Sequence, residues 1–480
     1  MKEEHIIQKV FVEITVNNKE KAFSIKDDIN SFLSIDVFPE IEKYINTLEY
    51  KLAGHTLQIP RLELNLDVKN SSLNAELKDK IVQLFSEELS EITDPAISIN
   101  EKTESDPKAY LINNQEKIFQ AFIYFLENGC MPWWNPVRKG IAFLDSPVFD
   151  SLISADHFQR DIAPILVKKS VQDRIINQLS NEQIAQLCLA ALKNKELKLD
   201  LSAEIIRHLS KLNPTDRAIV WRLVLNMVSE YVHRSNKNIQ GYLFEQISKI
   251  EQATLVQGKS SSQNWQVITQ IFPFIKEKKI PERLKNKIIH TSENGPSLAE
   301  TTHHKNEITH ADLSQDNGQY IQNAGLILIH PFIRTLFEYC GLLDPKTQDL
   351  IDPETGAHLL HYIATGKTNA PEYDMVFEKF LCNIPANQAI NRHIKLSRKH
   401  KAEAKNVIES VQHNWNPMRK SSVALLQNEF FQRPGKLVMT DYDYTLTVER
   451  KAQDILLDKL SWGIGLVKLP WHKKFILVNW

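Results

Sequence analysis

The sequence predicts an α+β protein that is predominantly helical, with a small N-terminal α/β unit, a helical middle, and a helical C-terminal region ending in a small antiparallel β unit. Three observations carry this reading. Period-2 alternation is confined to the two ends of the 480-residue chain, apolar residues recur at helical spacing between them, and a polar stretch divides the helical part.

The N-terminal end comes first. In residues 6–16, Val10, Val12, Ile14 and Val16 share one face, with Glu13 and Thr15 on the other, which predicts a strand. Asn17 and Asn18 break it. Phe23, Ile25, Ile29, Phe32 and Leu33 then recur at helical spacing; Pro39 is expected to interrupt that helix and admit a second one over 41–50. Residues 57–68 alternate again, with Leu62, Leu64, Leu66 and Val68 against Glu63, Asn65 and Asp67. Pro60 suits an edge or a strand start. A helix over 74–91 closes a domain expected to span 1–95.

Residues 93–106 are polar and read as a connection. Over 107–290 the period is 3.6, with amphipathic helices predicted at 116–127, 173–179, 182–192, 203–212 and 218–232. Residues 291–318 are rich in Ser, Thr, Asn and Glu and read as a flexible linker. The domain 319–480 is helical until Gly435. There Tyr442, Tyr444, Leu446 and Val448 alternate with Asp443, Thr445, Thr447 and Glu449, and 464–469 and 475–478 supply two more strand-like runs.

Composition narrows the function. The formal net charge is -1, so no overall field draws the chain to nucleic acid or acidic lipid. No apolar run approaches the roughly 20 residues that span a bilayer, and the opening residues lack the pattern of a signal peptide, so a cytoplasmic location is expected. Cys130, Cys188, Cys340 and Cys382 lie far apart and are expected as small buried hydrophobes rather than zinc ligands or a redox pair.

No motif for catalysis stands out. There is no phosphate-cradling glycine loop and no nucleophile elbow, and glycines number only 14. His358 and His361 lie at i, i+3 and are read as helix-surface or half-buried histidines, since no third ligand is suggested. Asp441 and Asp443 are expected on one solvent face of a strand. No catalytic residue, cofactor, metal or small-molecule substrate is therefore expected. The residues left for interaction are aromatic: Trp133 and Trp134 after a helix that Gly129 caps, and Trp462, Trp471 and Trp480 in the terminal β unit. Each indole either roofs a local core or docks a partner.

Several of these runs resemble the family of contractile injection system tape measure proteins. The similarity opens with His5-Ile6-Ile7-Gln8-Lys9 and Ile59-Pro60-Arg61-Leu62, and includes the helix, Gly129, Pro132, Trp133 and Trp134 element. It is closest in the last third: Asn323-Ala324-Gly325-Leu326 through His330-Pro331-Phe332, Ala357-His358-Leu359-Leu360-His361 through Gly366, Ala370-Pro371-Glu372-Tyr373, Leu381-Cys382-Asn383-Ile384-Pro385, and the ending from Ser461-Trp462 to Trp471 and Trp480. The resemblance implies a structural, non-enzymatic role in a phage-tail-like particle, beside its tube and baseplate proteins, as the component that sets tube length. The alternative is a compact adaptor or chaperone-like module in assembly. A fully helical chain of this length would reach about 720 Å; with 20 prolines and strand-like ends, this one is expected to fold well short of that.

Overall fold

The computed structural model describes residues 5–16, 18–52, 55–67, 73–92, 110–135, 142–193, 199–234, 241–243, 245–247, 262–273 and 318–480. They fall into two compact units, Met1–Gln120 and Ala121–Trp480.

In the first unit, α1 (Lys19–Phe32) leads through a π turn (Leu33–Val37) into α2 (Phe38–Leu52). Pro39 was expected to interrupt the helix here. Instead the π turn widens the ladder just ahead of it, which accommodates a residue with no N–H and a ring that crowds the carbonyl four positions back. Phe32, Val37 and Ile41 form a small core with Ile81 and Phe85 of α3 (Ala75–Ile92).

Strand β1 (His55–Gln58) pairs antiparallel with β2 (Tyr110–Asn113), from His55 opposite Asn113 to Gln58 opposite Tyr110. Two expectations are corrected. Residues 6–16 form no strand: Phe11 is 80% exposed, and Val10, Val12 and Ile14 are exposed as well. Residues 59–67 keep their alternation in burial, with Leu62, Leu64 and Leu66 half-buried between exposed Glu63, Asn65 and Asp67, yet carry no ladder. Alternation specifies a two-faced segment; a strand also needs a neighbour to receive its amides. The neighbour of β1 is β2, which the helical reading of 107–290 had overlooked.

Helix α4 (Asn114–Asn128) begins in the first unit and its second half belongs to the second. The middle helices follow as α5 (Ser146–Ile153), α6 (Phe158–Leu166), α7 (Lys169–Gln178), α8 (Asn181–Ala191), α9 (Ala203–Leu209), α10 (Pro214–Arg234) and α11 (Ser262–Ile271); the sequence predicts α7 to α10 among them, but not α5, α6 or α11. Ser180 and Gln183 close a capping box that starts α8. Pro214 opens α10, where a missing N–H costs nothing. Helix α10 packs against α6, α7, α8 and α11, and its Trp221, Val224 and Leu225 are fully buried. Residues 291–317 lie outside the described residues.

From 318 onward the chain is described throughout. Strand β3 (Gln319–Ile321) precedes a buried 3-10 turn (Ala324–Ile329), then α12 (His330–Cys340), α13 (Pro353–Thr365), α14 (Val376–Leu381), α15 (Arg398–Asn414) and the short α16 (Val423–Leu426). Strands β4 (Gly435–Met439), β5 (Tyr444–Val448), β6 (Leu466–Val467) and β7 (Ile476–Asn479) complete a sheet in the order β3-β4-β5-β7-β6. Three of its pairings are antiparallel, as expected. The fourth, β5 with β7, is parallel, because residues 449–475 carry the chain across the sheet before β7 is laid down. Asp441 and Asp443 sit in the β4–β5 turn rather than in a strand; the Thr440 hydroxyl donates to the Asp443 carboxylate at 2.9 Å and holds that turn.

Leu437, Leu446, Val448, Ile476 and Val478 face one continuous core with α12, α13 and α14. All four cysteines are free and buried within this unit. Burial raises the Cys130 thiol to about 11 and the Cys188 thiol to about 12.

Candidate functional site

Gly129 ends α4 with φ +76° and returns its N–H to the Phe125 carbonyl at 2.8 Å. Space demands glycine as well as conformation. A Cβ here would stand 2.4 Å from Glu372 Oε1 and 2.8 Å from Arg174 Nη2. The glycine is thus the wall of a buried ionic cluster.

Arg174, on α7, donates through Nε to Glu372 Oε2 at 3.1 Å and through Nη1 to the Leu126 carbonyl at 2.6 Å. Its Nη2 donates to the Asn387 carbonyl at 2.7 Å. Lys379, on α14, places Nζ 2.6 Å from Glu372 Oε1, 2.8 Å from the Ala386 carbonyl and 2.6 Å from the Gln388 carbonyl, using all three of its protons. The Glu372 N–H donates to Gln178 Oε1, whose amide nitrogen donates to the Ile390 carbonyl. Arg174 and Glu372 are 0% exposed and Lys379 is 1%. One carboxylate thus sits between two cations whose other hydrogen bonds go to backbone carbonyls, the arrangement that makes burial of three charges tolerable. Burial, with the Arg174 cation acting the same way, lowers the Lys379 ammonium from its ordinary range, and the neighbouring Glu372 opposes that.

A second cluster adjoins it, since Glu378 precedes Lys379 in α14. His361 Nδ1 and Asn323 Nδ2 meet Glu378 Oε1 at 2.8 and 2.6 Å. His358 Nε2 lies 2.8 Å from the Asn391 carbonyl. Both histidines of α13 are 4% exposed, correcting the surface or half-buried placement expected of them. The sequence shows their spacing but not that α14 and residues 385–392 close over them. Beside them, burial raises the Asp374 carboxyl to about 6, with Glu378 pushing the same way and His361, Lys367 and Arg392 opposing.

The aromatic candidates separate into two sets. Trp462 Nε1 donates to the Leu328 carbonyl at 3.0 Å and its ring meets Phe332 edge-on. Trp471 is 7% exposed and donates to the Leu381 carbonyl at 2.7 Å. Trp480 Nε1 donates to Asp454 Oδ2 at 3.1 Å, and Asp454 also pairs with the fully buried Arg433 at 2.7 Å. Trp462 and Trp471 thus tie the terminal sheet region to the 3-10 turn and to α14, while Trp480 closes that region on its own Asp454. Trp133 and Trp134 stand apart, half-buried in the turn after Gly129. Trp221 and Trp415, the indoles packed deepest among the described residues, belong to no motif that the sequence shows.

The 3-10 turn explains another run. Its six residues are buried on every side, and a Cβ on Gly325 would fall 1.6 Å from the Phe430 carbonyl oxygen. Gly129, Asn323, His358, His361 and Glu372, drawn from separate sequence runs, therefore converge on adjoining sealed clusters. Sequence reasoning missed Arg174, Lys379 and Glu378, because a lone charged residue in a helix reads as solvated surface.

Fold and site together define a mostly helical scaffold whose most ionic groups hold the chain to itself. The chain belongs to the family of contractile injection system tape measure proteins, whose model matches residues 4–480. No curated protein and no solved structure matches it. Among the described residues no helix is long and apolar enough to cross a membrane.

Proposed function

We propose that this chain is the component that sets tube length in a contractile injection particle, acting without catalysis beside the tube and baseplate proteins. The family match over residues 4–480 is the observation that carries this reading. A chain built of compact units cannot act as a fully stretched helix of about 720 Å. Length setting then requires either that the second unit open during tube growth or that copies act in series.

Docking to the other particle proteins is assigned first to Trp133 and Trp134, which are half-buried and not tied into the terminal sheet region. The division of the second unit into helical domains on either side of 291–318, and a cytoplasmic site of assembly, belong to the same proposal. A second reading, a compact adaptor or chaperone-like module that works alongside the particle without measuring length, is favoured by the extensive buried core of the second unit.

Cryo-electron microscopy of purified particles, with quantification of the chain in them, separates the two. Length setting predicts density for the chain within the tube lumen. Finished particles of normal length that lack the chain would favour the adaptor.

A further inference from the structure

The net charge of -1 conceals a division. Residues 1–120, the first compact unit, contain 14 Lys and Arg against 22 Asp and Glu, a net of -8. Residues 121–480 contain 44 against 37, a net of +7. The chain is therefore a strong charge dipole in sequence, with opposite signs on separate units.

Each unit carries a local cluster of its excess sign at or near a helix end. In α15 and the loop before it, Arg392, Lys395, Arg398, Lys399, Lys401 and Lys405 fall within fourteen residues, with Glu403 the one carboxylate among them. All of these cations but the half-buried Arg392 are exposed. Arg398, Lys401 and Lys405 follow i, i+3, i+7 spacing and share a face. In α3 the last six residues hold Glu87, Glu88 and Glu91, with no basic residue in the final turn. Glu87 and Glu91 are exposed.

Both placements oppose the helix that bears them. The N-terminal end of a helix carries partial positive charge and disfavours cations; the C-terminal end disfavours carboxylates. Helix α15 has no acidic residue in its first turn. Among the described residues, Lys405 pairs with Glu409 at 3.3 Å, while Arg398, Lys399 and Lys401, like Glu87, Glu88 and Glu91, form no ion pair. Each cluster thus sits unfavourably on its own helix dipole, and among the described residues Arg398, Lys399, Lys401, Glu87 and Glu91 expose their charges without an ion pair.

We infer that these two surfaces bind each other between copies: the acidic end of α3 in one chain docks on the basic start of α15 in the next. The partner is a second copy because this chain itself carries the complementary charge. Two different surfaces meet, so the contact is head-to-tail, and it leaves a free α3 end and a free α15 end for further copies. The inference stands on the charge distribution and does not require the length-setting reading.

Sedimentation velocity of the full chain tests it, at about 50 mM and about 500 mM salt, conditions that bracket strong and weak screening. Mass should rise with concentration at low salt and return to the monomer at high salt. The triple variant Arg398→Glu, Lys401→Glu, Lys405→Glu and the triple variant Glu87→Lys, Glu88→Lys, Glu91→Lys should each associate at least roughly tenfold more weakly. Mixing the two variants should restore association, because each then offers the other its complement. Both sets are surface positions, and circular dichroism with thermal melting confirms that the variants are folded. A wild-type chain that is monomeric at every concentration, as pairing within one chain would give, overturns the inference. So does association that survives either triple variant, or a mixture that stays monomeric.

Discussion

Arg174 and Glu372, 198 positions apart in the sequence, form a fully buried ion pair with Nε and Oε2 at 3.1 Å. Lys379 closes on the same carboxylate from the other side. The middle helices and the C-terminal helices are thereby held in one unit by charge as well as by apolar packing.

Removing one member of such a cluster strands the others. Glu372→Ala leaves two buried cations facing each other, whereas Arg174→Ala leaves Glu372 still paired with Lys379. Arg174→Ala should cost about 3–5 kcal/mol, within the range for a broken buried pair, and Glu372→Ala should cost more. Chemical denaturation of both variants checks the order. Equal losses, or the reverse order, would show that the cations are not sharing one carboxylate.

Gly129→Ala tests the wall of the cluster. The added methyl meets a left-handed backbone, worth about 1–2 kcal/mol, and also displaces the Glu372 carboxylate and the Arg174 guanidinium. The loss should exceed 2 kcal/mol, and it should shrink when Arg174 is already alanine, because part of the damage is then done. Fully additive losses in that double-mutant cycle would refute the coupling.

Asp374 gives the unit a pH signature. Its carboxyl is raised from 3.8 to about 6 in the folded chain. The native state therefore holds this proton more tightly than the unfolded state does. The group's contribution to stability is fully present below about pH 4, and it is lost as pH rises through about 6. Asp374→Asn, uncharged throughout, should raise stability at pH 7 by about 2–3 kcal/mol and leave it nearly unchanged at pH 4. Burial lowers His358 and His472 from their ordinary value, so they act in the opposite sense and destabilise the wild type as pH falls below 6.5. The difference between wild type and variant isolates Asp374 from them. A difference that is the same at both pH values would contradict the assignment.

Among the indoles, Trp471→Ala should cost about 3–5 kcal/mol, since it removes a buried ring. Trp480→Ala should cost less, because that ring is half-buried. Trp133→Ala combined with Trp134→Ala should lower the melting temperature least and reduce incorporation into particles most. Particle pull-down beside thermal melting distinguishes these outcomes. Normal incorporation of the Trp133 and Trp134 variant would remove them as docking residues.

The helices were legible because their apolar faces repeat locally, as in α8 and α10, and because Gly129 marks the end of α4. The strands were less so. Residues 6–16 and 59–67 have the alternation of strands without a partner, while β3 and β4 are strands whose partners lie more than a hundred residues apart in the chain. Pairing is a long-range property, and short-range pattern does not encode it. The same holds for the clusters. Gly129, Glu372 and His361 belonged to recognisable runs, but their convergence depends on Arg174 and Lys379, whose meaning appears only once α7 and α14 are packed together.

The most direct test of the length-setting role is the distribution of tube lengths in cells depleted of this chain, measured by negative-stain electron microscopy. The account predicts that the narrow length peak broadens as the chain is withdrawn. An unchanged narrow peak among the particles that still form would contradict it.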